Sequence, residues 1–221
     1  MGKLVTETPY SEVTATLETL DRFGVEREDL TKFRKASFYV QMEVVRLMKY
    51  GERSVSVPPR SWREQDGVIY FSVTSDGTTG PQRIERLEKK GFRIGDYAKQ
   101  VLRSPRFVPT SGITTEIAVL KGVLFEDNDR ITKKIRAEGA LRKLRTPNAE
   151  VACLIREKFT DEEIEAMGLW WIVVMHAPLK DSDGDPSLLD ARRGGGGRWL
   201  GAFCGRPGFG WGRGGGFAFA R

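Results

Sequence analysis

The chain has 221 residues, one histidine, and a formal net charge of +6 from 36 Lys+Arg against 30 Asp+Glu. That length suits one medium domain or two small ones with a substantial core. The longest apolar run, Leu169 to Met175, is far short of the roughly 20 residues of a membrane helix.

The start, MGKLVTETPY, holds no apolar signal-peptide core, so no membrane partner is expected and the expected location is the cytoplasm. Thr8-Pro9 is a helix-start signal, and Val13, Leu17 and Leu20 keep a three-to-four spacing up to Gly24. A second helix is predicted from Asp29 or Thr31 to Tyr50, with Phe33, Phe38, Val40, Val44, Leu47 and Met48 on its apolar side. Residues 1–60 thus read as a helical hairpin module, whose basic residues are the ordinary charges of a solvated face. Val55-Pro58-Pro59-Arg60 reads as a linker into a second module, residues 61–221.

That module begins with a predicted strand, Val68 to Val73, and the turn Ser75 to Gly80. Helices around Ile84 and Leu87 and from Asp96 to Leu102 follow. Without Gly-Lys-Ser/Thr or a full GxGxxG, Ser75 to Gly80 is a turn with a helix cap before it is a phosphate loop. A buried strand is predicted at Ile117 to Phe125, then a basic helix capped by Asp127 to Asp129 and running to Arg145, with Ile131, Ile135, Leu141 and Leu144 inward. Ala149 to Lys158 is helical, and Thr160-Asp161-Glu162-Glu163 is a capping box for a helix ending at Gly168. Leu169 to His176, Arg198 to Cys204 and Gly216 to Ala220 are the remaining strands. The pattern is α+β.

Little in this pattern supports catalysis. His176 has no second histidine beside which to build a metal cluster, and no Ser/His/Asp order is recognisable. It reads as a structural residue at a strand end. Asp181, Asp183 and Asp185 have the odd-position spacing that opens a calcium loop, but Pro186 replaces the required Gly and Arg192 the final Glu. A surface turn is the plainer reading. Cys153 and Cys204 form no CxxC pair and read as free thiols. The expectation is no catalytic residue, no metal and no cofactor.

The last thirty residues, RRGGGGRWLGAFCGRPGFGWGRGGGFAFAR, are different. They hold six arginines and no Lys, Asp or Glu, so the other residues carry 30 of each sign and the entire net charge belongs to this tail. Its glycines are interrupted by Trp199, Leu200, Phe203, Trp211, Phe217 and Phe219, which a flexible linker would not keep. Anchors (Arg198-Trp199-Leu200, Pro207, Trp211, Gly216 to Phe219) alternate with fillers. The fillers are all Gly, Ala, Phe, Cys or Arg, residues that codons ending in C or T encode. Adenine-directed randomisation of AAC-type codons leaves this signature, and a bias towards adenine-to-guanine change, turning AAC into GGC, supplies the excess of glycine.

In this respect the chain resembles the targets of diversity-generating retroelements, in which a reverse transcriptase overwrites the end of a target gene with errors at adenines. The resemblance rests on Leu169 to His176, the DSDGDPSLL segment, GRWL, Pro207, Trp211 and GFAF. It implies a C-type-lectin-like α+β domain with a variable region at about 191–216 and a non-enzymatic protein that binds an unknown protein or surface ligand. The implied variable, ligand-facing positions are Gly194, Gly195, Gly196, Gly201, Phe203, Cys204, Gly205, Arg206, Gly208, Phe209, Gly210, Gly212, Arg213, Gly214 and Gly215. The alternative is an RNA- or DNA-binding tail of the RGG kind, carried by Arg193-Gly194-Gly195 and Trp211 to Gly215. Nucleic acid is a partner only in that alternative.

Overall fold

A computed structural model describes residues 9–22, 24–36, 41, 44, 61–194 and 197–221. The chain divides into two compact units, Met1–Val57 and Pro58–Arg221.

In the first unit, helix α1 (Tyr10–Arg22) gives way to Gly24, whose φ of 76° only glycine adopts without strain. Helix α2 (Arg27–Lys35) starts at a capping box between Glu26 and Asp29. The expected helix from Asp29 or Thr31 to Tyr50 is corrected at its start, which is Arg27, and is broken at Ala36, where ψ opens to 159°; Gln41 and Val44 are again helical. Most of its expected second half, and the linker Val55 to Arg60, lie outside the described residues.

The second unit is an α+β assembly built on one mixed, open, nine-stranded sheet. Its strands are β1 (Arg63–Gln65), β2 (Val68–Asp76), β3 (Arg93–Ile94), β4 (Ser111–Lys121), β5 (Trp171–Val174), β6 (Leu179–Lys180), β7 (Pro186–Gly194), β8 (Gly197–Cys204) and β9 (Gly215–Ala220). They stand in the order β1-β2-β4-β9-β5-β7-β8-β3, with β6 beside β7. The β5–β9 and β3–β8 pairs are parallel and the rest antiparallel. Helices α3 (Gly80–Lys89), α4 (Asp96–Arg103), α5 (Thr132–Leu141), α6 (Val151–Lys158) and α7 (Asp161–Ala166) complete it.

Because strand side chains alternate faces, two cores form. Ile117, Val119, Ile172, Val174, Leu189, Ala191, Leu200 and Ala218 face Leu87, Val101, Leu102, Ile155 and Ile164 of the helices α3, α4, α6 and α7. Ala118, Leu120, Val173, Leu188, Phe217 and Phe219 face the other way, onto Ile135 of α5 and Trp211. Burying a side chain such as Phe217, which is fully enclosed, contributes about 1.5–3 kcal/mol. The last strand therefore lies in the middle of the sheet, between β4 and β5.

Four boundaries differ from the expectation. The strand placed at Ile117 to Phe125 runs from Ser111 to Lys121, and a 3₁₀ turn takes Gly122–Leu124. Asp127–Asp129 forms its own 3₁₀ turn, and α5 stops at Leu141, which is 79% exposed and not inward. Lys143 at φ 59° turns the chain away. Of Leu169 to His176 only Trp171–Val174 pairs as strand. Strand β7 was not foreseen, because the ion pair of buried Asp190 and half-buried Arg192 breaks the apolar run that marks a central strand.

Candidate functional site

Between β8 and β9 the loop 205–214 crosses the α5 side of the sheet. Its backbone is tied to the start of α5 by three hydrogen bonds, two of which form the Ile131–Gly210 β-bridge. The N–H groups of Thr132 and Lys133, which a helix leaves without intrahelical partners, donate to Phe209 O (3.1 Å) and Pro207 O (2.9 Å). Trp211 N–H donates to Arg130 O at 2.8 Å. The Arg130 guanidinium closes the corner by donating to Gly122 O, Trp211 O and Phe125 O. These ties are backbone-to-backbone or made by residues outside the tail, so they survive changes in the loop's own side chains.

Beneath the loop, Trp211 is 6% exposed and its Nε1–H donates to Thr132 Oγ1 at 2.9 Å. Trp171, Phe203, Phe209 and Phe217 surround it at ring-centroid separations of 4.9–5.8 Å. The pairs with Phe203, Phe209 and Phe217 are edge-to-face, and such pairs add about 0.5–1.5 kcal/mol each beyond area burial. Phe203 and Phe209 remain half-buried, so the cluster reaches the surface there.

The expected variable positions separate into three kinds. Gly208, Gly210 and Gly212 are exposed, a Cβ on any of them would meet nothing within 4 Å, and none has a positive φ. Gly194 at the β7–β8 turn is also exposed, as are Arg206 and Arg213. Gly195 and Gly196 lie outside the described residues. Phe203, Phe209 and Gly201 share one face. Cys204 does not, because the pleat turns it to the helix-covered side with Ala202. Gly205, Gly214 and Gly215 are corrected from open positions to packed ones. A Cβ would press on Leu188 at 3.1 Å from Gly205 and on Trp170 at 2.9 Å from Gly214, and from Gly215 it would enter the Trp171 ring. The close approach of β9 to β5 requires the absence of a side chain at Gly215.

Sequence reasoning missed a further pair on this face. Asp190, fully buried on β7, accepts from Arg192 Nε at 2.8 Å and Nη2 at 3.1 Å. The guanidinium lies over the Phe203 ring, 4.5 Å from its centroid. Burial pushes the Asp190 carboxyl up to about 6, with Arg192 pulling the other way. An Asp two residues before an Arg shares a strand face with it; that spacing was the available signal. Trp170, 58% exposed and stacked by Arg193 at 4.0 Å, sits beside Gly214 at the same end of the sheet as the β7–β8 turn.

The tail arginines are largely committed within the fold. Arg192 binds Asp190, Arg193 binds Glu165, Arg206 binds Asp185 and Arg221 binds Glu116. Arg198 donates to Lys90 O and stacks on Phe92. Arg213, in turn, lies near enough to Asp127 to help hold its carboxyl below the usual range, after the hydrogen bond and charge of Arg130.

His176 is buried, and both ring nitrogens are engaged. Leu189 N–H donates to Nε2 at 3.0 Å, and Nδ1 lies 2.7 Å from Ala177 O. The ring thereby extends the β5–β7 ladder past Val174, and desolvation lowers its pKa to about 4. In the acidic turn, Asp181 accepts from the N–H groups of Asp183 and Asp185 and from the Ser187 hydroxyl, while Asp183 accepts from Tyr97. The turn is closed by its own hydrogen bonds. Among the described residues no group of three or more His, Cys, Asp or Glu is placed to hold a metal ion, and no helix is long and apolar enough to cross a membrane.

No family model matches the chain, no curated protein matches its sequence, and no solved structure matches its fold.

Proposed function

We propose that this is a non-enzymatic binding protein whose C-terminal surface is a diversified site of the retroelement-target kind, carried on a C-type-lectin-like framework. One observation carries the reading. The tail separates into side chains locked in the framework (Leu200, Trp211, Phe217, Phe219) and glycines that face open space on a loop fastened by backbone bonds. A surface of that build accepts many side chains without losing its shape, which is what a variable binding loop needs. Phe203 and Phe209 at the centre, with Arg206 and Arg213 at the rim, are residue types that dominate interface hot spots. The partner is a protein or surface ligand.

The coding DNA tests this. Adenine-rich codons at the filler positions in a nearby near-copy of the segment, together with a reverse-transcriptase gene, are expected. A locus without either would refute the reading. The rival, a nucleic-acid-binding tail of the RGG kind, is weakened by the commitment of Arg192, Arg193 and Arg198 to partners within the fold.

A further inference from the structure

Gly201 stands directly opposite Asp190 in the β7–β8 register, on the face that carries Phe203. A Cβ at 201 would fall on the Arg192 guanidinium, 2.7 Å from Cζ and closer still to Nη2, and 2.5 Å from Asp190 Oδ1. The guanidinium thus occupies the room left by the missing side chain. Nothing in the backbone demands glycine here, since its φ is not positive. The obstacles are the ends of two side chains: Arg192, 35% exposed with solvent beside it to move into, and the buried Asp190 carboxylate, which must also give way. Val173 on β5 and Gly201 on β8 are the neighbours of Asp190 across the strands, and neither ionises.

We propose that the residue at 201 sets the charge this face offers to a partner. With glycine, Arg192 folds onto Asp190 over Phe203, and the face is neutral and aromatic, suited to an apolar or aromatic group. With any side chain at 201, the guanidinium turns outward and presents a fork that recognises a carboxylate on a partner protein. The enclosed Asp190, deprived of its cation, then keeps its proton at neutral pH, so the face gains a full positive charge. A single position thereby writes two features of the surface, its own side chain and the state of Arg192. This proposal rests on reading the face as a binding surface, but its physical content concerns the free protein.

The test is phenylglyoxal labelling of intact protein, read at Arg192 by peptide mass spectrometry, with exposed Arg213 as internal reference. Gly201→Ala and Gly201→Ser are expected to label Arg192 several-fold faster than the parent while Arg213 is unchanged. Asp190→Asn, which frees Arg192 without touching 201, is expected to give the same acceleration. Acceleration in Asp190→Asn but not in the position-201 variants would overturn the proposal, as would an unchanged rate in all three. Loss of a cooperative melt in Gly201→Ala would also overturn it, because the fold itself would then demand glycine. None of these outcomes bears on the coding DNA, so failure here is distinct from failure of the diversification reading.

Discussion

Trp211 fills the space under its loop and satisfies its indole N–H on Thr132, so truncation leaves a cavity and removes one of the two hydrogen bonds of the Thr132 hydroxyl, which still donates to Phe209 O. Trp211→Ala is expected to destabilise by about 3–5 kcal/mol, a large part of the whole stability of an ordinary domain. Ser or Asn at Gly208, Gly210 or Gly212, which face nothing within 4 Å, is expected to change stability by less than about 1 kcal/mol. Gly215→Ala belongs with the first group, since its Cβ enters the Trp171 ring, and overpacking of this kind costs about 1–3 kcal/mol. A thermal-melt series over these five positions separates framework from variable surface. Equal intolerance at all of them would remove the distinction.

Two buried groups couple stability to pH in opposite directions. His176 stays neutral in the fold down to about 4 but takes up a proton near 6.5 when unfolded, so its contribution is present above 6.5 and lost as pH falls towards 4. Asp190 stays protonated up to about 6 in the fold but ionises near 3.8 when unfolded, so its contribution is present below 3.8 and lost as pH rises towards 6. Each amounts to roughly 3 kcal/mol, and over most of that window they offset one another. Asp190→Asn removes the second alone. Urea unfolding of this variant at pH 4.5 and 6.5 is expected to show a loss on acidification larger than the parent's by roughly 2 kcal/mol, the part of the Asp190 contribution that falls between those two pH values. A parent and variant with parallel pH profiles would contradict the burial-raised carboxyl.

At the scale of elements, β9 pairs on both edges and is buried along its length, whereas the loop 205–214 is held by single backbone bonds at Gly205, Pro207, Phe209, Trp211 and Gly214. Amide exchange should therefore be slow at Phe217, Ala218 and Phe219 and fast at Gly208 and Gly212. Fast exchange through the whole tail would mean that it is not folded as described. The strands β8 and β9 were legible because short runs with large apolar residues stand between glycine-rich turns. Strand β7 was hidden because Asp190 and Arg192 look like surface residues until each is seen to neutralise the other. The helix expected to reach Arg145 ends at Leu141 because the next residues turn back to pair Arg145 with Ala220, a long-range contact with no local trace.

At the scale of the molecule, the tail carries all of the net charge, yet most of its arginines are bound by Glu165, Asp185, Asp190, Glu116 or the Lys90 carbonyl. An Arg held by an internal carboxylate releases few counterions on meeting a phosphate, so affinity for RNA and DNA at physiological salt is expected to be weak and without sequence preference. Tight binding that falls steeply with salt and is abolished by replacing the tail arginines would favour the nucleic-acid reading. Filter-binding or anisotropy over a salt series decides it.

The sequence by itself determined the α+β character, the burial of the anchors Leu200, Trp211, Phe217 and Phe219 and the concentration of charge in the tail, because these follow from local composition. Of the other anchors, Trp199 is only half-buried and Pro207 is exposed. Large apolar residues need a partner surface wherever they fold, and Trp211 and Phe217 found one. Only the tertiary structure decided that the C-terminal strand lies centrally, that Cys204 faces away from Phe203, and that glycines alike in sequence differ in kind. Gly208 has open space above it, Gly215 an indole against it and Gly201 a guanidinium lying where its side chain would be. The reason is physical: what a missing side chain permits depends on the atoms opposite it, and those atoms come from strands and loops distant in sequence.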